Sequence, residues 1–164
     1  MKLTKELCLI GADKSLQNAD SLTENSLLLL SKGSFGHSLA LSVLAIEECG
    51  KAFLLIAVHE DKTKLDEDLL KAIFRNHTFK VYVPLLELAL SEGFPKDDLE
   101  YVKSLAPTLD KVKQRGLYVN FLEGKWVTPQ DSDLDEIART NLDYAKRIYK
   151  SVKAYRNNHT NVHL

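Results

Sequence analysis

Leu39-Ala40-Leu41-Ser42-Val43-Leu44-Ala45-Ile46-Glu47-Glu48-Cys49-Gly50-Lys51-Ala52-Phe53-Leu54-Leu55-Ile56-Ala57-Val58 sets three charged side chains inside one of the most apolar stretches of the chain. At 3.6 residues per turn it reads as a helix that is buried or nearly so. His37, Leu41, Leu44, Glu48, Lys51 and Leu55 fall along one stripe, with Glu47 close beside it. An ionised group in such a setting carries a large desolvation cost unless it is paired. Counterions must therefore come from neighbouring segments, as a structural ion-pair knot or as part of a site.

Helical patterns extend on both sides of this stretch. Thr4 caps a first helix that runs to about Lys32, with Gly33 as its stop. Gly11 weakens its first turns by roughly 1 kcal/mol against alanine, which makes a break there conceivable. The second helix covers residues 34–60. A third opens at the acidic Asp66-Glu67-Asp68 and runs to about Ser91, with Pro84 set to kink it or end it early. Residues 96–115 form a less regular helical stretch, interrupted at Pro107 and stopped by Gly116. Residues 117–128 change pattern and read as a small hairpin turning at Glu123-Gly124, whose aromatics should pack on the helices. Thr128 then caps the last helix, with Pro129 at its first position and Leu134, Ile137, Ala138, Leu142, Ala145, Ile148 and Val152 as its apolar face. The expectation is an all-α bundle of four main helices with a hairpin insertion before the last, as a single domain over residues 1–164.

Composition bounds the function. A net charge of −1 gives no global field for nucleic acid, so any RNA contact needs a local basic patch. Cys8 and Cys49 lack metal-ligand spacing and read as small core residues of a reducing compartment. The apolar run at residues 27–30 is too short for a leader or membrane span, which points to a cytoplasmic protein with no membrane partner. The chain has no phosphate loop, zinc motif, nucleophile elbow or paired Glu-x-x-His, so no cofactor or metal is expected.

Four groups of residues could carry chemistry. Glu47 and Lys51 have the i to i+4 order of a helical ion pair, worth about 0.2–0.5 kcal/mol when exposed, with Glu48 beside them. His77 and Lys80 share a face of the third helix, and antiparallel packing on the second would bring them to the Glu47/Glu48 carboxylates. Arg115 and Tyr118 flank Gly116, where they either cap and pack the helix end or bind phosphate or a carboxylate. Arg156 and His163, six residues between them, could stabilise a phosphorane and move its protons, although a frayed polar tail is the simpler reading.

Together these pieces resemble the AbiV (abortive infection V) family, a bacterial phage-resistance group in the HEPN superfamily. The resemblance rests on His37-x-x-Ala40, Ala45-Ile46-Glu47-Glu48-Cys49-Gly50-Lys51, His77-x-x-Lys80, Arg115-Gly116-Leu117-Tyr118-Val119 and Gly124-Lys125-Trp126-Val127-Thr128-Pro129. It spans roughly residues 20–155. Cys49 stands in place of the usual leucine and Asn120 in place of a common aspartate. The resemblance implies a HEPN-like helical bundle, commonly a homodimer, acting in abortive infection. Many superfamily members are metal-independent ribonucleases with an Arg-x4–6-His motif, which here only Arg156 to His163 fits. The closer family resemblance points instead to Glu48, Lys51, His77, Lys80, Arg115 and Tyr118. The leading expectation is therefore a phage-defence effector acting on RNA or translation. The competing one is a non-catalytic module that binds a phage or host protein, and a third is a small-ligand or nucleotide sensor.

Overall fold

A computed structural model of the chain describes residues 3–93, 98–130 and 134–160. Among these are six helices and one hairpin: α1 (Lys5–Ser31), α2 (Phe35–His59), α3 (Glu67–Arg75), α4 (His77–Ser91), α5 (Asp98–Leu117), β1 (Asn120–Leu122), β2 (Lys125–Val127) and α6 (Asp135–Thr160). The fold is all-α, as expected, but the helices number six rather than four.

Each extra helix has a local cause. The expected third helix divides at Asn76, whose backbone turns extended (φ −91°, ψ 96°) and whose side chain accepts from the Phe79 N–H to cap a new helix. The break thus falls at Asn76, and α4 continues through Pro84 to Ser91. Residues 98–117 make one 20-residue helix through Pro107, and Gly116 lies inside it. Gly11 likewise leaves α1 unbroken. Thr128 does not cap the last helix: its hydroxyl accepts from the Gln130 N–H in a turn, and α6 starts at Asp135.

Helix α2 is the centre of the molecule and packs against α1, α4, α5 and α6. Its core side chains include Leu39, Val43, Ile46, Cys49 and Ile56, all essentially inaccessible. From α6 and the residue just before it the core receives Leu134, Ala138, Leu142, Ala145, Ile148 and Val152, whereas Ile137 is exposed. Both cysteines are free and buried, and burial pushes both thiols up, so neither is a nucleophile. The stripe of His37, Leu41, Leu44, Glu48 and Lys51 exists, but it is the half-buried rim of α2. Glu47, just off that stripe, is the acid that faces the core.

The hairpin pairs Asn120 with Val127 and Leu122 with Lys125, with positive φ at Glu123 and Gly124 in the two-residue turn. Its aromatics do not pack on the helices. Phe121 and Trp126 stack on each other, centroids 5.2 Å apart, and remain 60% and 72% exposed. Among the described residues, no helix is long and apolar enough to cross a membrane.

Candidate functional site

Glu47 projects from α2 into the space where α4 and α5 meet it, and only 2% of it is exposed. Two glycines make that convergence close enough. A Cβ at Gly50, one turn after Glu47, would overlap the backbone carbonyl of Lys80, so α4 lies directly on α2 there. A Cβ at Gly116 would overlap the carbonyl of Gly36, which seats the end of α5 on the start of α2. Gly116 is therefore a packing residue, with no role in stopping its helix.

The convergence surrounds one carboxylate with three basic groups. His77 Nδ1 lies 2.6 Å from Glu47 Oε2 and Lys80 Nζ lies 3.2 Å from the same oxygen. Lys113 Nζ is 2.6 Å from Glu47 Oε1 and also 2.6 Å from Asp110 Oδ1. Lys80 and Lys113 are buried, whereas half of the His77 side chain is exposed. A carboxylate only accepts, so Nδ1 of His77 carries the proton. In the neutral ring Nε2 then has a free lone pair, and His77 lines a cavity of about 510 Å³ that is wide open to solvent. A buried acid holding an exposed imidazole in one tautomer is the arrangement of an oriented general base.

Lys113 is held above the ordinary lysine range. Burial pulls it down, but the hydrogen bonds to Asp110 and Glu47 outweigh that effect. A raised lysine stabilises the fold below its unfolded pKa and loses that contribution as pH rises through the folded one. Unfolding measured across alkaline pH should therefore show a loss of stability above the ordinary lysine range, and a smaller loss in Lys113→Met.

Glu47, His77 and Asp110 could in principle share a metal ion, since one ligand atom from each lies within 4.8 Å of the others. The donor set does not fit one. The ammoniums of Lys80 and Lys113 already occupy both oxygens of Glu47, and a divalent cation would add to two fixed positive charges.

The other expected residues lie apart from this cluster. Lys51 pairs with Glu48 at 2.6 Å on the rim of α2, so the expected Glu47–Lys51 pair does not form. Arg115 and Tyr118 are exposed at the end of α5, and Tyr118 does not pack under the helix. Arg156 on α6 grips Asp13 of α1 through two hydrogen bonds of 2.8 and 2.9 Å. His163 lies outside the described residues. Of the expected set, His77 and Lys80 meet on Glu47, while Glu48 and Lys51 pair separately on the rim of α2.

A model of the AbiV family matches residues 7–150. This chain belongs to the AbiV family. It is thus a bacterial abortive-infection domain of the HEPN superfamily, and its largely helical structure agrees with that assignment. No curated protein and no solved structure matches it significantly. The match begins in the first turn of α1 and ends within α6, so it contains the whole Glu47 cluster. In this AbiV domain the Ala45 to Lys51 segment has two separable parts. Glu47 and Gly50 face α4 and α5, while Glu48 and Lys51 face the rim.

Proposed function

We propose that this AbiV domain acts in phage defence as a metal-independent ribonuclease, with His77 as the general base. The observation that carries this reading is the 2.6 Å contact from buried Glu47 to Nδ1 of a half-exposed His77 at an open cavity. In the reaction, Nε2 takes the proton of a ribose 2′-hydroxyl as that oxygen attacks the adjacent phosphorus. The bond from phosphorus to the 5′-oxygen breaks, and the departing oxygen takes a proton from water. The products are a 2′,3′-cyclic phosphate and a free 5′-hydroxyl. Lys80 and Lys113 are buried on Glu47 and act as positioning residues, fixing the acid that fixes the base.

Purified protein incubated with total RNA in EDTA should give 2′,3′-cyclic phosphate ends. His77→Ala should fold normally and lose about 10²–10⁴-fold in rate, the usual contribution of a general base. Intact RNA at high protein concentration would exclude the reading.

A second reading has its own observation. Tyr118, Phe121 and Trp126 present exposed apolar surface on and beside the hairpin, which suits docking of a second copy or of a phage or host protein. A non-catalytic module would lose protection in Trp126→Ser and keep it in His77→Ala.

A further inference from the structure

Asp110 is a charged neighbour of His77 for which the proposed reaction has no use. It stands on α5 one turn before Lys113, and its Oδ1 is inaccessible and 2.6 Å from Lys113 Nζ. The same side chain reaches the edge of the cavity that His77 lines. One oxygen of Asp110, one ring nitrogen of His77 and one oxygen of Glu47 lie within 4.8 Å of one another. His77 and Asp110 are therefore direct neighbours and also the two ends of one chain of contacts, which runs from His77 to Glu47, to Lys113 and to Asp110.

The charges along that chain of contacts give the acid its use. Glu47 alone faces two buried ammoniums, Lys80 and Lys113. Burial pulls Lys113 down, but the hydrogen bonds to Asp110 and Glu47 outweigh it and keep the ammonium charged. Without Asp110 the cluster behind a neutral His77 would hold one surplus positive charge, and a proton taken by Nε2 would add a second. With Asp110, two carboxylates balance two ammoniums, and the imidazolium is the only surplus. A general base must tolerate the proton it accepts, and a carboxylate this close favours the protonated ring. The other charged groups facing His77 among the described residues are Asp68, Lys71 and Arg75, on the α3 side of the cavity. All three are exposed, so water and salt screen them.

We propose that Asp110 is an electrostatic positioning residue for His77: it balances the second ammonium on Glu47 and so lets the ring hold the proton taken from substrate. Its catalytic meaning rests on the ribonuclease reading. The charge balance itself is measurable with no RNA present, so the two can fail separately.

The test is a pH titration of the His77 ring by nuclear magnetic resonance, in full-length protein labelled at histidine nitrogen. Asp110→Asn keeps the shape of the side chain and a carbonyl oxygen for Lys113, and removes only the charge. The His77 midpoint should fall by roughly 0.5–1 pH unit, the effect of one partly screened charge about 5 Å away. The Nδ1–H tautomer at alkaline pH should persist, because Glu47 sets it. Asp110→Glu should return most of the way to the wild-type midpoint. Asp68→Asn, at the same cavity but exposed, should move the midpoint far less and lose even that effect in about 0.5 M salt, where the Asp110→Asn shift survives. Where RNA is cleaved, the acid limb of the pH–rate profile should move to lower pH by the same amount in Asp110→Asn. An unmoved midpoint, or an equal shift in Asp68→Asn, would overturn the proposal. Loss of the single tautomer would overturn it too, since Asp110 would then hold the shape of the cluster rather than its charge. A shifted midpoint with RNA left intact would keep this role of Asp110 and remove the nuclease; cleavage with an unmoved midpoint would do the reverse.

Discussion

Glu47→Ala is expected to cost about 3–5 kcal/mol of stability, the range for removing one partner of a buried ion pair. The loss arises less from broken hydrogen bonds than from what remains. Lys80 and Lys113 are 5% and 2% exposed, and Lys80 has no second carboxylate within ion-pair distance among the described residues. For a domain of this size the change corresponds to a fall in Tm of roughly 6–20 °C, readable by thermal or urea unfolding. Replacing Glu47, Lys80 and Lys113 together by apolar residues of similar volume should recover most of that loss, since a well-packed apolar cluster matches a buried ion network. The triple variant then separates the two uses of the cluster. Stability would return, and His77, deprived of its orienting carboxylate, would stay inactive.

Gly50→Ala is expected to be the second large effect, about 3 kcal/mol or more, the upper end for overpacking a tight contact. The added methyl meets the backbone carbonyl of Lys80 and the ring of Pro84, and neither can rotate away as a flexible side chain would. Helix α4 must move off α2, carrying His77 and Lys80 with it. Activity should therefore fall together with stability, in contrast to His77→Ala, where only activity falls. Denaturant unfolding beside the RNA assay distinguishes the two variants.

The sequence made much of this legible, and its failures have physical causes. A charged cluster in an apolar helix required partners from elsewhere, and His77 and Lys80 did supply them. The choice between Glu47 and Glu48 was not legible from a helical wheel, because adjacent residues differ by about 100° and the rim of α2 is itself apolar. Which of them faces inward depends on where α4 and α5 lie, and that depends on Gly50 and Gly116. Lys113 carried a signal that the basic end of its helix obscured. Val102, Ala106, Leu109, Lys113 and Gly116 follow helical spacing on one buried face, so this lysine belongs to the core. The division at Asn76 was readable as an Asn cap ahead of His77, but the apolar pattern continues across it. Periodicity marks which face is buried, and it does not register a change of axis. The hairpin aromatics were expected to find helices because isolated hairpins are weak. Instead Phe121 and Trp126 cover each other, and the strands spring from the close junction of Gly36, Gly116 and Pro129.

The state of one proton tests the whole account most directly. With Glu47 ionised and 2.6 Å from Nδ1, nitrogen-15 resonances of the His77 ring at alkaline pH should show a single tautomer with hydrogen on Nδ1 and a bare Nε2. A ring that instead averages both tautomers, as free histidine does, or that keeps its hydrogen on Nε2, would mean that the buried acid does not aim the base.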